Sequence, residues 1–426
     1  MSRFIITGGK KLAGTIRVAG NKNSALKLMA AALLADGVTT LTNVPRIRDV
    51  DAMCDLLEDV GAKVDGKGTS ELKIDATSLK SHTPSREIIE RFRASVLIAS
   101  PLLARFGKAV IYAPGGDQIG ERLLDTHFSM MEKLGVEVKK DGGRFELIWK
   151  TRKGGNVFLE EASVTATEMA IILASTLEEE VVIEGAAAEP HVNDLVSFVE
   201  KMGASVTGVG THRLTVKGKA KLVPVEHRVI PDHIEGGTFA IAGAITGGEL
   251  VVEDTPEDHY RMMLNYLKDM GVDATLDSER LIVKPSKLIA KRRKFQTRPW
   301  PGFPTDLMSP FIVLATQTEG TVLCHDWMYE WRMFFVDDLI NMGANIFIAD
   351  PHRVIVSGPT KLKGDVLFSK DIRAGMSIIL AALAAEGESE IRNVEMVERG
   401  YEVLDERLKN IGADIKRLPG TDDKKP

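Results

Sequence analysis

The chain has 426 residues, 44% hydrophobic and 27% charged, which gives a globular protein with material for two or three domains and excludes a disordered one. Fifty-five basic against 60 acidic residues leave a net charge of −5, which excludes a general polyanion binder but allows a local basic pocket. Two cysteines cannot build a disulfide framework, and neither a signal-peptide core nor an 18-residue apolar run is present, so the chain reads as cytoplasmic and not membrane-spanning.

In chain order, the first strong element starts at the polar run Asn21-Lys22-Asn23-Ser24 and continues as ALKLMAAALLA (25–35). It is apolar on nearly every side, which predicts a helix buried all round. An outer helix follows, with Val50, Met53, Leu57 and Val60 on one stripe. Gly61 ends it, because glycine accepts the left-handed conformation of a C-terminal cap. Alternating strand-like residues come next. This order returns five times. The phrase LLEDVGAKV at Gly61 becomes MMEKLGVEV at Gly135, FVEKMGASV at Gly203, YLKDMGVDA at Gly271, LINMGANI at Gly343 and RLKNIGADI at Gly412, with steps of 68–74 residues. The buried helix returns as SVLIASPLLA, EMAIILAST, TFAIAGAIT, LMSPFIVLAT and MSIILAALAA. Six βαβαββ units of an α/β protein, three to a domain, account for the whole chain.

Function is sought where the copies differ. The residues leading into the buried helices are polar, and many serve as N-caps. Capping does not explain Lys22, Arg93 and Arg373, since a cation at a helix start opposes the macrodipole. An anion bound there would account for them, and so would pairing with a nearby carboxylate. The loop Pro114-Gly115-Gly116-Asp117-Gln118-Ile119-Gly120-Glu121-Arg122 spaces two glycines like a phosphate loop, but Glu121-Arg122 stands where Lys and Ser/Thr are required. It reads as a mobile segment that closes over a ligand. Gly208-Val209-Gly210 lacks the third glycine of a dinucleotide fingerprint, the nine histidines show no zinc spacing, and no G-x-S-x-G elbow occurs. The basic run Lys291–Lys294 reads as a solvated loop. The tail 421–426 reads as disordered.

Taken together, GNKNSAL (20–26), RASVLIASPLLARFG (93–107), PGGDQIGERLLDTH (114–127), ASVTATE, AAAEPHVNDL, PDHIEGGTF, FPTDLM, DIRAGMS and ERGYE (398–402) resemble the UDP-N-acetylglucosamine 1-carboxyvinyltransferases of the enolpyruvyl transferase family along nearly the full length. The resemblance implies a two-domain inside-out α/β barrel, with 22–230 as one domain and 1–21 plus 231–426 as the other. The site would lie in the cleft between them, with loop 114–125 mobile. It implies transfer of the enolpyruvyl group of phosphoenolpyruvate to the 3′-hydroxyl of UDP-N-acetylglucosamine with release of phosphate, and no cofactor, metal, nucleic acid or membrane partner. By position, Lys22, Arg122 and Arg399 would hold phosphoenolpyruvate, with Arg373 a fourth cation. Asp306 would take the sugar hydroxyl proton, and Asn23 would orient the reacting groups. Arg93, the stretch Arg122, Leu123, Leu124, Asp125 and Thr126, the stretch Glu161, Ala162, Ser163 and Val164, and Met328 would hold the UDP-sugar.

Two departures stand out. Glu161 replaces a lysine usual in the family, and Asp117 stands where a reactive cysteine is common. Neither Cys54, on an outer helix, nor Cys324, in a strand, can replace that cysteine. Asp117 is therefore expected to act as the general acid from the loop. A sister transferase with shikimate 3-phosphate as acceptor, an RNA-terminal phosphate enzyme and an inactive scaffold are the competing readings. The retained set Lys22, Arg122, Asp306 and Arg399 speaks against the scaffold.

Overall fold

The structure is a computed structural model that describes residues 2–117 and 119–420. The tail expectation and residue Gln118 of the loop lie outside the described residues. Six largely buried, mostly apolar helices form, at Lys22–Ala31, Ala99–Phe106, Val164–Ala174, His233–Thr246, Met308–Thr316 and Ile372–Ala384. Two begin late, after the 3-10 turns Arg93–Ile98 and Thr305–Leu307. Each of these carries a proline, Pro101 or Pro310, in its first α-turn. Proline lacks the N–H that a continuing helix would use and clashes with the turn before it, so the regular helix starts just upstream of the ring.

The outer helices are Arg48–Asp59, Asp125–Lys133, Pro190–Met202, Arg261–Asp269, Val336–Asn341 and Leu404–Asn410. Gly61, Gly135, Gly203, Gly271, Gly343 and Gly412, which follow them, all have φ between +81° and +118°. A side chain is strained in that region, so the repeated glycine is a backbone requirement.

The chain divides into two compact units, a middle unit of Gly20–Gly116 and Arg122–Ile230 and a terminal unit of Met1–Ala19, Asp117–Glu121 and Pro231–Pro426. Each has its own apolar core. Among the described residues, three open sheets belong to each unit and no sheet closes on itself. In the middle unit, Val38–Thr42 pairs in parallel with Glu226–Arg228 and antiparallel with Glu71–Asp75. In the terminal unit, Leu250–Glu253 pairs in parallel with Gly14–Arg17 and antiparallel with Arg280–Lys284.

These pairings carry a strand exchange. Gly14–Arg17 precedes the helix of Lys22 but joins the sheet of Leu250, while Glu226–Arg228 precedes the helix of His233 but joins the sheet of Val38. Two details depart from six equal βαβαββ units. The second copy has only three strands, because Arg86–Ile89 forms a short helix where a first strand was expected. A single bond, Val110 N–H to the His82 carbonyl at 2.9 Å, stands in for that strand's pairing. In the sixth copy, the N-terminal strand Ser2–Thr7 inserts between Glu388–Arg392 and Asp414–Pro419, antiparallel to both. Among the described residues, no helix is long and apolar enough to cross a membrane.

Candidate active site

In the middle unit, Asn21 caps the helix Lys22–Ala31 by accepting from the Ser24 N–H at 2.8 Å. Lys22 is its first residue, and its ammonium sits 2.7 Å from Asp49 Oδ2 with both side chains nearly buried. Of the two accounts of this cation, the resting structure realises the carboxylate partner. Asn23 follows, half-buried, in the same first turn. Behind them, buried Asp194 accepts from the Ser24 hydroxyl and from His227 Nε2 (2.8 Å), and so fixes the start of the helix.

Of the segments assigned to the nucleotide sugar, Arg93, residues 122–126 and residues 161–164 lie in this unit and are joined to one another by hydrogen bonds in two places. Arg93 opens its 3-10 turn and donates from Nη2 to the Leu123 carbonyl at 3.2 Å. The Leu123 side chain is 66% exposed, while Leu124 is buried at the start of helix Asp125–Lys133. Asp125 pairs with Lys140 at 3.1 Å. The Thr126 hydroxyl donates to Glu161 Oε1 at 3.4 Å, joining the 122–126 stretch to the 161–164 stretch. Ala162 is half-buried, and Ser163 caps the helix that begins at Val164. One residue on, buried His127 contacts the Thr165 hydroxyl at 2.7 Å. Burial first, and then the charges of Arg93 and Arg122, push His127 down to about 3. Arg93 and Arg122 thus both bring positive charge to bear on this buried ring.

The terminal unit holds the other group. Asp306 lies in the short turn before Met308–Thr316, and both its oxygens are engaged. Oδ1 accepts from Arg332 Nη2 at 3.0 Å, and Oδ2 from Arg373 Nε and Nη2 at 3.0 and 2.9 Å. Burial opposes the charge of Arg373, but Asp306 and then Tyr401 outweigh it and hold the guanidinium above its ordinary range. Arg373, read from the sequence as a fourth cation for phosphoenolpyruvate, has Asp306 as its carboxylate partner here, as a guanidinium this buried requires. Asp117 Oδ1 pairs with Arg399 Nη1 at 2.8 Å.

The loop is seated locally by the Trp331 N–H, which donates to the Ile119 carbonyl at 3.0 Å. Met328 is half-buried, and its N–H donates to Asp326 Oδ1 at 3.0 Å. Asp326 also accepts from the Thr305 hydroxyl, which ties Met328 to the residue before Asp306.

Sequence reasoning did not select Asp49, Arg332 or Asp194. Asp49 looks like an ordinary first-turn acid. Arg332 had a usable signal, a lone arginine in the aromatic stretch WMYEWRMFF, whose burial to 2% exposure demands an acidic partner. The cysteines are excluded as nucleophiles, because burial pushes both thiols up to about 12. Among the described residues, no group of three or more His, Cys, Asp or Glu side chains is placed to hold a metal ion.

The model of the EPSP synthase (3-phosphoshikimate 1-carboxyvinyltransferase) family matches residues 6–408. The chain belongs to that family. Within it, a UDP-N-acetylglucosamine 1-carboxyvinyltransferase of Bradyrhizobium diazoefficiens is 44% identical over 425 residues, 98% of both chains. One of Treponema denticola is 44% identical over 422 residues, 97% of this chain and 99% of its own. The fold matches the crystal structure of the enolpyruvyl transferase NikO from Streptomyces tendae, with a TM-score of 0.87, 22% identity and 99% of each chain covered. An EPSP synthase from Acinetobacter baumannii matches with a TM-score of 0.71 and 19% identity, over 98% of this chain and 100% of its own. The mixed α/β fold is thus that of the enolpyruvyl transferases.

Proposed function

We propose that this chain is a UDP-N-acetylglucosamine 1-carboxyvinyltransferase, which moves the enolpyruvyl group of phosphoenolpyruvate onto the 3′-hydroxyl of UDP-N-acetylglucosamine and releases phosphate. This is the first committed step toward peptidoglycan precursors, and it needs no organic cofactor. The observation that carries the reading is 44% identity along nearly the whole of relatives with that name, against 19% to an EPSP synthase structure. Cytoplasmic action goes with these two small-molecule substrates.

The chemistry follows from the two residue groups. The sugar oxygen attacks C2 of phosphoenolpyruvate and gives its proton to Asp306, while the methylene carbon C3 takes a proton from the acid, assigned to Asp117. The product is a tetrahedral intermediate. Elimination then breaks the C2–O bond to phosphate, removes a proton from C3 and restores the double bond in the new ether. Lys22, Arg122 and Arg399 neutralise the phosphate and carboxylate of phosphoenolpyruvate. Arg93, residues 122–126, residues 161–164 and Met328 hold the UDP-sugar, and Asn23 orients the reacting groups.

The finer architecture belongs to the same proposal: two three-repeat domains in an inside-out α/β barrel arrangement. Three sheets in each unit and six glycine-ended outer helices support it.

Phosphate release from phosphoenolpyruvate by the purified protein tests the reading, with UDP-N-acetylglucosamine and shikimate 3-phosphate offered separately. Release with the UDP-sugar alone is expected. Release with shikimate 3-phosphate alone would overturn the acceptor assignment, and release with neither would overturn the activity.

A further inference from the structure

A polar chain behind Asp306 has its direction fixed by proton counting. The Thr238 hydroxyl donates to the Ile234 carbonyl at 2.7 Å, one helical turn back. Its single proton is then committed, so in its 3.1 Å contact with the Tyr401 hydroxyl it can only accept. Tyr401 therefore donates to Thr238, and the tyrosine oxygen accepts from Arg373 Nη1 at 3.2 Å. The other edge of the same planar guanidinium, Nε and Nη2, is left for Asp306. Tyr401 and Thr238 are fully buried and Arg373 nearly so, with the guanidinium carbon 5.5 Å from the centre of the tyrosine ring.

We propose that Tyr401 is a positioning residue for the transfer reaction. By accepting from Nη1 it fixes the rotation of the Arg373 fork, and through the fork the attitude of the Asp306 carboxylate. Tyr401 cannot serve as a proton donor to substrate, because its one proton points into the helix and the residue has no exposed surface. In a dry site, a guanidinium that loses one acceptor turns toward another, and a carboxylate held by its opposite edge turns with it. Small misplacements of a reacting group carry large rate penalties, which is how a residue away from the reacting atoms governs turnover. The inference rests on the reading of Asp306 as the base.

The test is a double-mutant cycle on the full chain with Tyr401→Phe and Asp306→Asn, measured as kcat and KM for both substrates alongside thermal unfolding. Tyr401→Phe keeps the ring and is expected to lower kcat roughly ten- to thirty-fold, the scale of one hydrogen bond to a charged group. Both KM values should stay within about two-fold, since the loss falls on proton transfer and not on binding. In the Asp306→Asn background, the same substitution should cost less than about two-fold, because orientation ceases to matter once the proton cannot be taken. Full multiplication of the two effects would overturn the positioning role while leaving the base intact. Near-normal kcat in Asp306→Asn alone would overturn the base reading, and this inference with it. Should Tyr401→Phe fail to fold, Thr238→Val removes the acceptor of the same hydroxyl and is judged by the same split and the same cycle.

Discussion

In the middle unit, Lys22 leans on one carboxylate, Asp49, and Arg93 on a main-chain oxygen; in the terminal unit, Asp306 carries two guanidiniums and Asp117 a third. The contrast separates two tasks. Cations such as Arg93 and Arg122, whose charges add to burial in pushing His127 down to about 3, suit the capture of a polyanionic substrate. A carboxylate held on both oxygens suits proton handling at a fixed angle, at the cost that any shift in one partner disturbs the others. Lys22 and Asp306 should therefore fail in different ways when removed.

The largest effect is expected at Asp306. Asp306→Asn should lower kcat by at least ~10²-fold with little change in KM, the scale of losing a general base. Lys22→Ala should instead raise KM for phosphoenolpyruvate roughly ten-fold and lower kcat as well, the scale of losing one charge-assisted contact. Steady-state kinetics on both variants would break the comparison if the two signatures were the same.

Asp117 sharpens the comparison next. If it is the acid, Asp117→Asn should lower kcat roughly 10- to 100-fold. If it only occupies Arg399, the same variant should keep kcat and lower KM for phosphoenolpyruvate. The first outcome is expected. Asp117→Cys should retain turnover and become sensitive to a thiol-directed epoxide, to which the unmodified chain, with both thiols buried, should be indifferent.

Smaller effects concern stability. His127 and His233 are both pushed down to about 3, by burial first in each case. Such a histidine stays neutral in the fold while the unfolded chain takes up a proton below pH 6.5, so stability is full above that pH and falls as pH drops toward 3. Between pH 6.5 and 5 the loss should be about 2 kcal/mol per histidine. Urea unfolding at several pH values should show a shallower acid slope for His127→Gln and for His233→Gln. Saturating UDP-N-acetylglucosamine should reduce the His127 contribution, by offsetting the charges of Arg93 and Arg122, and leave that of His233. Equal response of the two would deny the positive field its place in the middle unit. The smallest change is expected for Glu161→Lys, which should lower KM for the UDP-sugar by a few-fold at most, since the position is exposed and screened.

Much of the frame was legible because it depends on local rules. An all-apolar helix must be buried, a stripe at helical spacing must face a core, and a residue held at positive φ favours glycine. The identities at Lys22, Asp306 and Arg399 were legible through resemblance, in motifs too specific to arise from packing. The partners of those residues were not. Asp49 is 27 positions from Lys22, Arg332 and Arg373 are 26 and 67 from Asp306, and Arg399 is 282 from Asp117. No spacing rule reaches across such distances. The short helix in place of a first strand in the second copy was equally hidden, although the i,i+4 pairs Arg86–Glu90 and Arg91–Glu87 support it locally.

Periodicity, punctuation and residue chemistry, all properties of short windows, thus determined the six copies, their buried and outer helices, and the cations and carboxylates that had to lie near helix starts. Only the tertiary structure decided the exchange of strands Gly14–Arg17 and Glu226–Arg228, the insertion of Ser2–Thr7 into the last sheet, and the pairing of each charge. The reason is that strand partners and buried counter-charges are chosen by what else the fold brings within a few ångströms. For Asp306, that choice turned one acidic residue among many into a carboxylate held by two arginines and, through Arg373, by a buried tyrosine.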